Sequence, residues 1–342
     1  DDGFVLENGR LRAVLGPDGT LVSLVEVASG REAMAAPGNV LELYEDRPTA
    51  FEAWDLDPFH LETRSDCPAA TSAEVTLADP LRAELAFERP IGRGSRMRQT
   101  VRLDAESERV EFHCAIDWHE DRRALKVRFP VAVHAQRATY EMQFGVIERP
   151  THYSTRRDLA QFEVPGHRFA DLSEHGFGVA LLSAATYGWS VHGTDMRMTL
   201  LRSPRWPDPE ADVGHHELAF AIHPHRGGWQ EAGVTAHALC FNAPLLLGEG
   251  AGEPRSWFST DTPGVLVDTV KRAEDGDELI IRLYEAHGAR GTARLRVGVP
   301  FADAWFTNLL EDRLAPAEVA GDEVMIAFRP FEIITIALGT PA

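Results

Sequence analysis

The chain has 342 residues, of which 44% are hydrophobic and 25% are charged, so its composition is that of an ordinary globular protein. Its formal charge of −19 excludes the basic face that binding to nucleic acid or to an anionic membrane requires. We therefore expect no nucleic-acid partner and no membrane partner, and no run approaches the roughly 18 apolar residues of a membrane span.

Alternation of apolar and polar residues, which is typical of half-buried strands, recurs along the chain. It predicts strands at 81–87, 97–103, 109–116, 124–133, 195–201, 279–284, 293–299 and 332–338. Clusters of Gly and Pro predict turns at 16–19, 36–38, 90–94 and 225–228. We find no stretch of about 12 residues with the spacing of an amphipathic helix. The pattern therefore predicts an all-β protein built from antiparallel two-sheet sandwiches.

A glycine-rich, acidic stretch without periodicity lies near 246–256 and predicts a linker. It divides the chain into a large β-sandwich over 1–250 and a small C-terminal β-sandwich over 251–342. The second part has the size of a single small sandwich.

The cysteines, Cys67, Cys114 and Cys240, are odd in number and too widely spaced for a disulfide framework or a zinc ribbon. A reducing compartment, the cytoplasm, is therefore the expected location. The chain begins at Asp1 without a methionine, so we expect that an upstream part of the protein is absent from this sequence.

Histidines cluster at His215, His216, His223 and His225. In a strand, His223 and His225 face the same side and could share one ion, but His216 points elsewhere and no third ligand is evident. We therefore interpret residues 216–225 as an edge strand with solvated histidines, and we expect no metal site in this chain.

The stretch EAWDLD (52–57) is the most interesting candidate for contact with a sugar. Trp54 can stack on a sugar ring and Asp55 can accept hydrogen bonds from hydroxyl groups, although a loop with a packing tryptophan is the alternative. A polar excursion over 144–164 contains His152 and is either functional or in contact with another domain.

Five segments carry a resemblance to a known family: YEDRPTAFEAWDLD (44–57), QFGVIERPTHYST (143–155), FEVPGHRFADLSEHGFGVALLSAATYGWSVHG (162–193), MRMTLLRSPRWPDPEADVGHHELAFAIHPH (196–225) and a last segment that runs from LIIRLYEAHGARGTARLRV (279–297) through AWFTNLLED (304–312) to RPFEIITIAL (329–338). In this order they resemble the C-terminal half of the α-mannosidases of glycoside hydrolase family 38, in the bacterial and vacuolar-type branch. The resemblance covers nearly the whole chain. It implies a large mutarotase-like supersandwich followed by a small β-sandwich.

Members of that family carry the nucleophilic aspartate, the acid and a zinc ion in an N-terminal barrel-like domain, which a small helical bundle follows. Nothing in this sequence looks like either. The resemblance therefore implies that the complete protein hydrolyses terminal α-D-mannosyl residues with retention. It also implies that this chain has no catalytic residue, needs no cofactor of its own and is inactive alone, while the zinc belongs to the absent domain.

The expected partners are the protein's own N-terminal catalytic and helical domains and α-mannosides. The face that the absent domain covers should be rich in aromatic residues and arginine, and we expect self-association through it. In the family, the large sandwich lends side chains to the sugar pocket, and Arg202 looks like one of them. Trp54, Asp55 and His152 are the other candidates for a position near the substrate.

Two other functions compete with this interpretation. The chain could be a stand-alone carbohydrate-binding β-sandwich, with tryptophans and tyrosines as stacking platforms. It could also be a mutarotase-like sugar epimerase, with Glu163 paired with His134, His152 or His167 as base and acid.

Overall fold

The computed structural model describes residues 3–246, 248, 250 and 252–341. Within the predicted linker, Leu247, Glu249 and Ala251 lie outside the described residues. The chain forms two compact units. The first consists of 1–140 and 148–242, and the second of 141–147 and 243–342. Because residues on both sides of position 250 lie outside the description, the domain limits at 250 and 251 stay a prediction.

Short strands dominate both units. Up to residue 242 they are β1 (Phe4–Glu7), β2 (Leu11–Leu15), β3 (Leu21–Glu26), β4 (Arg31–Glu32), β5 (Val40–Glu45), β6 (Ser65–Asp66), β7 (Ser72–Ala78), β8 (Arg82–Ile91), β9 (Ser95–Asp104), β10 (Val110–Trp118), β11 (Arg123–Pro130), β12 (Arg137–Met142), β13 (Gly145–Pro150), β14 (Val164–Pro165), β15 (Phe169–Glu174), β16 (Phe177–Ser183), β17 (Gly188–His192), β18 (Asp195–Arg202) and β19 (Gly214–Arg226). After it they are β20 (Phe258–Thr260), β21 (Val265–Arg272), β22 (Leu279–Glu285), β23 (Gly291–Val297), β24 (Ala304–Thr307), β25 (Arg313–Pro316), β26 (Val319–Ala320), β27 (Glu323–Phe328) and β28 (Ile333–Leu338). The helical segments are a 3-10 helix (Pro58–Thr63), α1 (Arg156–Leu159) and α2 (Val234–Asn242).

The first unit is a two-sheet sandwich with an additional small sheet, β1-β2-β3-β4. Its large sheet has the order β13-β12-β15-β16-β19-β10-β9-β8-β7, and its second sheet the order β14-β17-β18-β11-β5-β6. The core lies between them, because alternate residues of each strand point inward. Phe112 and Phe220 of the large sheet stack at 5.0 Å between ring centroids, and Phe129 of the second sheet meets Phe112 edge-on at 5.6 Å.

The second unit is a smaller sandwich of the sheets β20-β23-β27-β26 and β21-β22-β28-β24-β25. Ile281 and Ile336 of one sheet share a buried apolar cluster with Leu295 and Ile326 of the other. The all-β class predicted from alternation is thus confirmed, and each predicted strand overlaps an observed one.

The helices are few and short among the described residues. None of them has the length and apolar character needed to cross a membrane. The predicted turn at 90–94 joins β8 to β9, as the sequence indicates.

The prediction that residues 216–225 form an edge strand with solvated histidines is wrong. β19 lies between β16 and β10 inside the large sheet, and His223 and His225 are only 2% and 4% exposed. Both histidines lie on the face opposite to Phe220, which points into the core. The ring of His237 in α2 lies 4.4 Å from that of His223, so the helix packs over this face and excludes water from it.

Candidate functional site

The outward face of the second sheet is polar, although much of it is buried. Where one set of alternate residues on β5, β11 and β18 fills the core, the other set presents charged and hydroxyl groups. These residues are Glu42, Tyr44, Lys126, Arg128, Arg197 and Thr199. The 3-10 helix and the segment after α1 contribute further polar groups to this face.

Glu42 is fully buried at the centre of one ionic cluster on this face. Its carboxylate oxygens lie 2.8 Å from Nε of Arg128 and 2.8 Å from Nε of Arg197, and 3.3 Å from Nη1 of Arg64. The hydroxyl of Tyr44 donates to Oε2 of Glu42 at 2.6 Å. The Arg128 contact is an ion pair without hydrogen-bond alignment, whereas Arg197 donates a well-formed hydrogen bond.

Lys126 organises a second cluster and is itself fully buried. Its Nζ donates to Oε2 of Glu163 at 2.5 Å and to Nε2 of His60 at 2.9 Å, and it lies 5.1 Å from the centre of the Tyr44 ring. His60 Nδ1 lies 2.8 Å from the carbonyl oxygen of Asp57, so Nδ1 carries the proton and Nε2 accepts from the lysine.

The charges in this cluster follow from their surroundings. Burial, assisted by the neighbouring Lys126 charge, lowers the pKa of His60 to about 4, so the imidazole is neutral at pH 7. Burial alone would raise the pKa of Glu163, but the charge and hydrogen bond of Lys126 and a hydrogen bond from Thr199 outweigh it and lower that pKa. The cluster is therefore a buried ammonium–carboxylate pair beside a neutral histidine.

Above this cluster is an open cleft of about 640 Å³. Its lining includes Trp54, Asp55, Phe162, Glu163, Tyr187, Gly188, Thr199, Arg202 and Asp212. Trp54 is 65% exposed and Tyr187 is 59% exposed, so the cleft combines aromatic walls with a carboxylate floor. Burial raises the pKa of the Asp212 carboxyl, which lies in the same lining.

Three of the four residues predicted to lie near the substrate share this cleft: Trp54, Asp55 and Arg202. The guanidinium of Arg202 is largely occupied within the chain. Nε and Nη2 form a fork with the Asp46 carboxylate, at 2.6 and 3.0 Å, and Nη2 also donates to the carbonyl oxygens of Glu52 and Asp55. Among the described hydrogen bonds none uses Nη1, so that nitrogen is the part of Arg202 able to meet a ligand.

The loop that carries Trp54 and Asp55 is held in place by these contacts. The Asp55 carboxylate is exposed, whereas that of Asp57 accepts from the backbone N–H and hydroxyl of Thr49 at 2.7 and 2.8 Å. The Trp54 ring meets the ring of Trp206 edge-on at 5.6 Å between centroids.

His152, the fourth predicted residue, does not line the cleft. Its Nδ1 lies 2.9 Å from the hydroxyl of Ser154 and 3.7 Å from the Asp158 carboxylate. Asp158 also forms a capping box with Thr155 at the start of α1. These contacts are local to the 152–158 loop.

Sequence reasoning missed Lys126 and His60, and considered Glu163 only for the epimerase alternative. The alternation of apolar and polar residues did contain a signal for this polar cluster. Lys126 and Arg128 occupy the polar phase of β11, and Glu42 and Thr199 occupy the same phase in the strands that turn out to be its neighbours. What could not be foreseen is that loops cover this polar face.

The zinc that the resemblance implies is expected in the absent catalytic domain. Among the described residues, no group of three or more His, Cys, Asp or Glu side chains is arranged to hold a metal ion. His225 bonds through Nε2 to the Asp171 carboxylate at 2.8 Å, and His223 bonds through Nδ1 to the carbonyl oxygen of Glu108 at 2.6 Å. One ring nitrogen of each histidine is therefore engaged within the chain.

Sequence comparison identifies the class of protein to which this sandwich and cleft belong. Residues 6–210 match the glycosyl hydrolases family 38 C-terminal domain, and residues 264–336 match the glycosyl hydrolases family 38 C-terminal beta sandwich domain. The chain therefore belongs to glycosyl hydrolase family 38, in its C-terminal region.

Its relatives within that class are mannosidases. The chain is 42% identical to human alpha-mannosidase 2C1 over 350 residues, which covers 99% of this chain and 34% of that protein. It is 35% identical to alpha-mannosidase G of Dictyostelium discoideum, covering 97% of this chain and 32% of that protein. The chain thus spans about a third of the length of these relatives.

A solved structure has the same fold. An alpha-mannosidase from Enterococcus faecalis V583 superposes with a TM-score of 0.80, covering 97% of this chain and 42% of that one. The identity is 17%, so this likeness bears on the fold alone.

Proposed function

We propose that this chain is the C-terminal, non-catalytic β portion of an α-mannosidase that removes terminal α-D-mannosyl residues with retention. The observation that carries the proposal is the match of 99% of this chain to a third of the length of a mannosidase. Catalytic carboxylates and zinc then belong to the remainder of the enzyme, together with a helical domain. The free cysteines Cys67, Cys114 and Cys240 support a cytoplasmic location.

Exposed aromatic residues support contact with that remainder. Four aromatic side chains are 55% to 65% exposed: Phe51 and Trp54 on one loop, Phe59 in the 3-10 helix after it, and Trp206 on another loop. Trp54 touches Trp206. Exposed rings concentrated on neighbouring loops are typical of interaction surfaces. We therefore assign this aromatic surface, defined by these four residues, to the interface with the catalytic domain.

In this proposal Arg202 acts mainly by positioning. Its fork to Asp46 and its bonds to the loop carbonyl oxygens fix Trp54 and Asp55 at the cleft, and Nη1 is left to donate toward a sugar hydroxyl. Substituting Arg202 by Ala in the complete enzyme should lower kcat/KM for an α-mannoside by about tenfold or more.

The matched control is Arg205→Ala, because Arg205 pairs with Asp121 at an exposed position three residues away. Unchanged kcat/KM for Arg202→Ala would contradict the assignment of Arg202. The isolated 342-residue chain should hydrolyse no 4-nitrophenyl α-mannoside, with or without added Zn²⁺. Turnover by the pure chain would contradict a non-catalytic role.

A second candidate function, stand-alone carbohydrate binding, is favoured by one observation, the aromatic and carboxylate lining of the cleft. It is compatible with the first, because a domain that supports catalysis can also hold part of the substrate. The epimerase alternative has less support, since both carboxylate oxygens of Glu163 are already bonded within the chain, to Lys126 and Thr199.

A further inference from the structure

We propose that acidification releases helix α2 from the large sheet of the first unit, because histidines on both sides of this contact take up protons. His223 of β19 is almost fully buried, and His237 of α2 is partly buried above it. Their rings lie 4.4 Å apart between centroids, and the ring of His225 lies 5.5 Å from that of His223. This inference goes beyond the proposed function and does not depend on it.

His223 can remain in place only as a neutral ring. Its Nδ1 donates to the carbonyl oxygen of Glu108 at 2.6 Å, so Nδ1 carries the proton of the neutral imidazole. Its Nε2 is buried and has no hydrogen-bond partner among the described residues. A second proton would therefore bind at Nε2, where no described group accepts it, and would create an unpaired charge inside the chain.

His237 provides a second proton-binding group at the same contact. Burial lowers the pKa of His237, and the Arg109 charge acts in the same direction while the Glu108 carboxylate, 3.4 Å from Nε2, opposes both. Burial lowers the pKa of His223 well below its ordinary value of 6.5, and the neighbouring His237 and His225 lower it further. Both rings therefore bind protons more readily when the helix is not docked.

The carboxylates around these histidines are already engaged. The Asp171 carboxylate of β15 bonds to Nε2 of His225 at 2.8 Å. A cavity of about 330 Å³ borders His223 and His225, and its other charged lining residues are Arg10, Glu26, Glu108, Arg226 and Glu231. Arg10 pairs with Glu108 at 2.8 Å, Arg226 lies 4.0 Å from Glu26, and Glu231 accepts from a backbone N–H. Among the described contacts, none brings a carboxylate to Nε2 of His223.

Helix α2 is held to the sheet by a small contact. Of its nine residues, Val234, Thr235 and Ala238 are buried, and Oγ1 of Thr235 has no hydrogen-bond partner among the described residues. A helix of fewer than about 12 residues gains little stability of its own, so it depends on this contact. Phe220 of β19 points to the opposite face, into the core, so the sandwich can remain packed when α2 leaves.

The direction of the pH effect follows from proton uptake. The released state binds more protons than the docked state below about pH 6.5, so docking is fully stable above this pH and weakens as the pH falls. For one histidine that stays neutral while docked, a change from pH 7.5 to pH 5.0 raises the equilibrium constant for release by about 30-fold. Proton uptake by the second histidine increases this factor.

The test is hydrogen–deuterium exchange of the 342-residue chain at pH 7.5 and pH 5.0, corrected for the intrinsic exchange rate. The corrected exchange of the amides in 234–242 should rise about 30-fold or more on acidification. At pH 5.0 these amides should also exchange at least about tenfold faster than those of β16, the strand beneath the helix. Equal corrected exchange of α2 at both pH values overturns the inference, as does equal exchange of α2 and β16 at pH 5.0.

The decisive variant combines His223→Asn with His237→Gln. The new amide at position 223 can still donate to the Glu108 carbonyl oxygen, and neither replacement takes up a proton. The rise in α2 exchange between pH 7.5 and pH 5.0 should fall to less than about threefold in this variant. An undiminished rise overturns the inference. Because the comparison is made between two pH values within one variant, a moderate loss of stability does not obscure it.

Two single variants serve as controls. His215→Gln changes an exposed histidine of the same strand, and His60→Gln changes a buried histidine beneath the other sheet. Both should retain the acid-dependent rise in α2 exchange. Loss of that rise in His60→Gln would show that α2 opens only through general unfolding, which overturns the inference.

A measurement on the parent chain covers the case in which the double variant does not fold. In an NMR titration, the ring signals of His223 and the amide signals of α2 should change with one shared midpoint. Separate midpoints overturn the inference.

Discussion

Lys126 and Glu163 are joined by a 2.5 Å contact between Nζ and Oε2 beneath the cleft, and the lysine has no exposure to solvent. The pair connects the middle of the second sheet to the loop that follows α1. His60 accepts from the same Nζ, so the 3-10 helix is tied to the same point. The loop after α1, which lines the cleft, and the 3-10 helix therefore both bond to one buried ammonium group.

Substituting Lys126 by Met should destabilise the first unit by about 3–5 kcal/mol, since the Glu163 carboxylate would remain buried without its partner. The measurement is hydrogen–deuterium exchange of the β11 amides under conditions where exchange reports the free energy of opening. Lys271→Met is the matched control, because Lys271 pairs with Glu274 and Glu311 at the surface of the second unit. Equal protection of β11 in the Lys126→Met and parent chains would contradict this prediction.

Stability should fall on acidification because of His60. Its pKa is about 4 in the folded chain, against 6.5 for the ordinary side chain, so between these values the unfolded chain binds more protons. The free energy of unfolding therefore falls as the pH falls from 6.5 to 4, by about 3 kcal/mol for this residue. Below pH 4 this contribution levels off.

The check is denaturant unfolding at pH 7.0 and pH 4.5. A His60→Gln variant, whose amide oxygen can still accept from Lys126, should lose less stability between these two pH values than the parent chain does. His215→Gln replaces an exposed histidine and should leave the pH dependence unchanged. Identical pH profiles for the His60→Gln and parent chains would show that His60 is not the responsible group.

Arg202→Lys should loosen the loop over 46–57 while keeping the charge. A lysine cannot reproduce the fork to Asp46 together with the bonds to two carbonyl oxygens. Losing about 1–2 kcal/mol of local hydrogen bonding should speed amide exchange in 46–57 by about tenfold. Arg205→Lys, at the exposed pair with Asp121, should not change it. Unaltered amide exchange in the Arg202→Lys chain would contradict the role of Arg202 in positioning this loop.

The aromatic surface should make the isolated chain self-associate at high concentration. Phe51 and Trp206 are 61% and 55% exposed, and covering such rings releases apolar area from water. Sedimentation velocity should show a concentration-dependent increase in mass that a double variant, Phe51→Ser with Trp206→Ser, reduces. Leu81→Ser changes an exposed residue outside this surface and should have no effect. A chain that remains monomeric at millimolar concentration would contradict the predicted self-association.

Alternation predicts most of the strands because it depends only on the pleat of the backbone. It identifies Leu125, Val127 and Phe129 as the core phase of β11, and all three are fully buried. Alternation also implies that Lys126 and Arg128 face water, and this implication is wrong. Burial on the outward face of the second sheet depends on what packs over the sheet. That covering comes from segments distant in sequence, which no local pattern reveals.

The histidines of β19 show the same limit of a local sequence pattern. Spacing places His223 and His225 on one face, but whether a strand lies at the edge or inside a sheet is set by its hydrogen-bonded neighbours. Of the predicted site, Trp54, Asp55 and Arg202 do share one cleft, while His152 belongs to a local loop. The resemblance supplied Arg202, whereas the other candidates came from local sequence patterns, and the Arg202–Asp46 pair, 156 positions apart, became visible only in the folded chain.

The position of β19 limits how this region can be shortened. β19 is the strand that joins β16 to β10, so without it the nine-stranded sheet would divide into two four-stranded pieces. The family match over 6–210 ends before β19 begins at Gly214. A fragment cut at that match would therefore expose two long unpaired strand edges, a state prone to aggregation. An expressible piece of the first unit has to extend at least through Arg226, and through Asn242 if α2 is to cover the histidines.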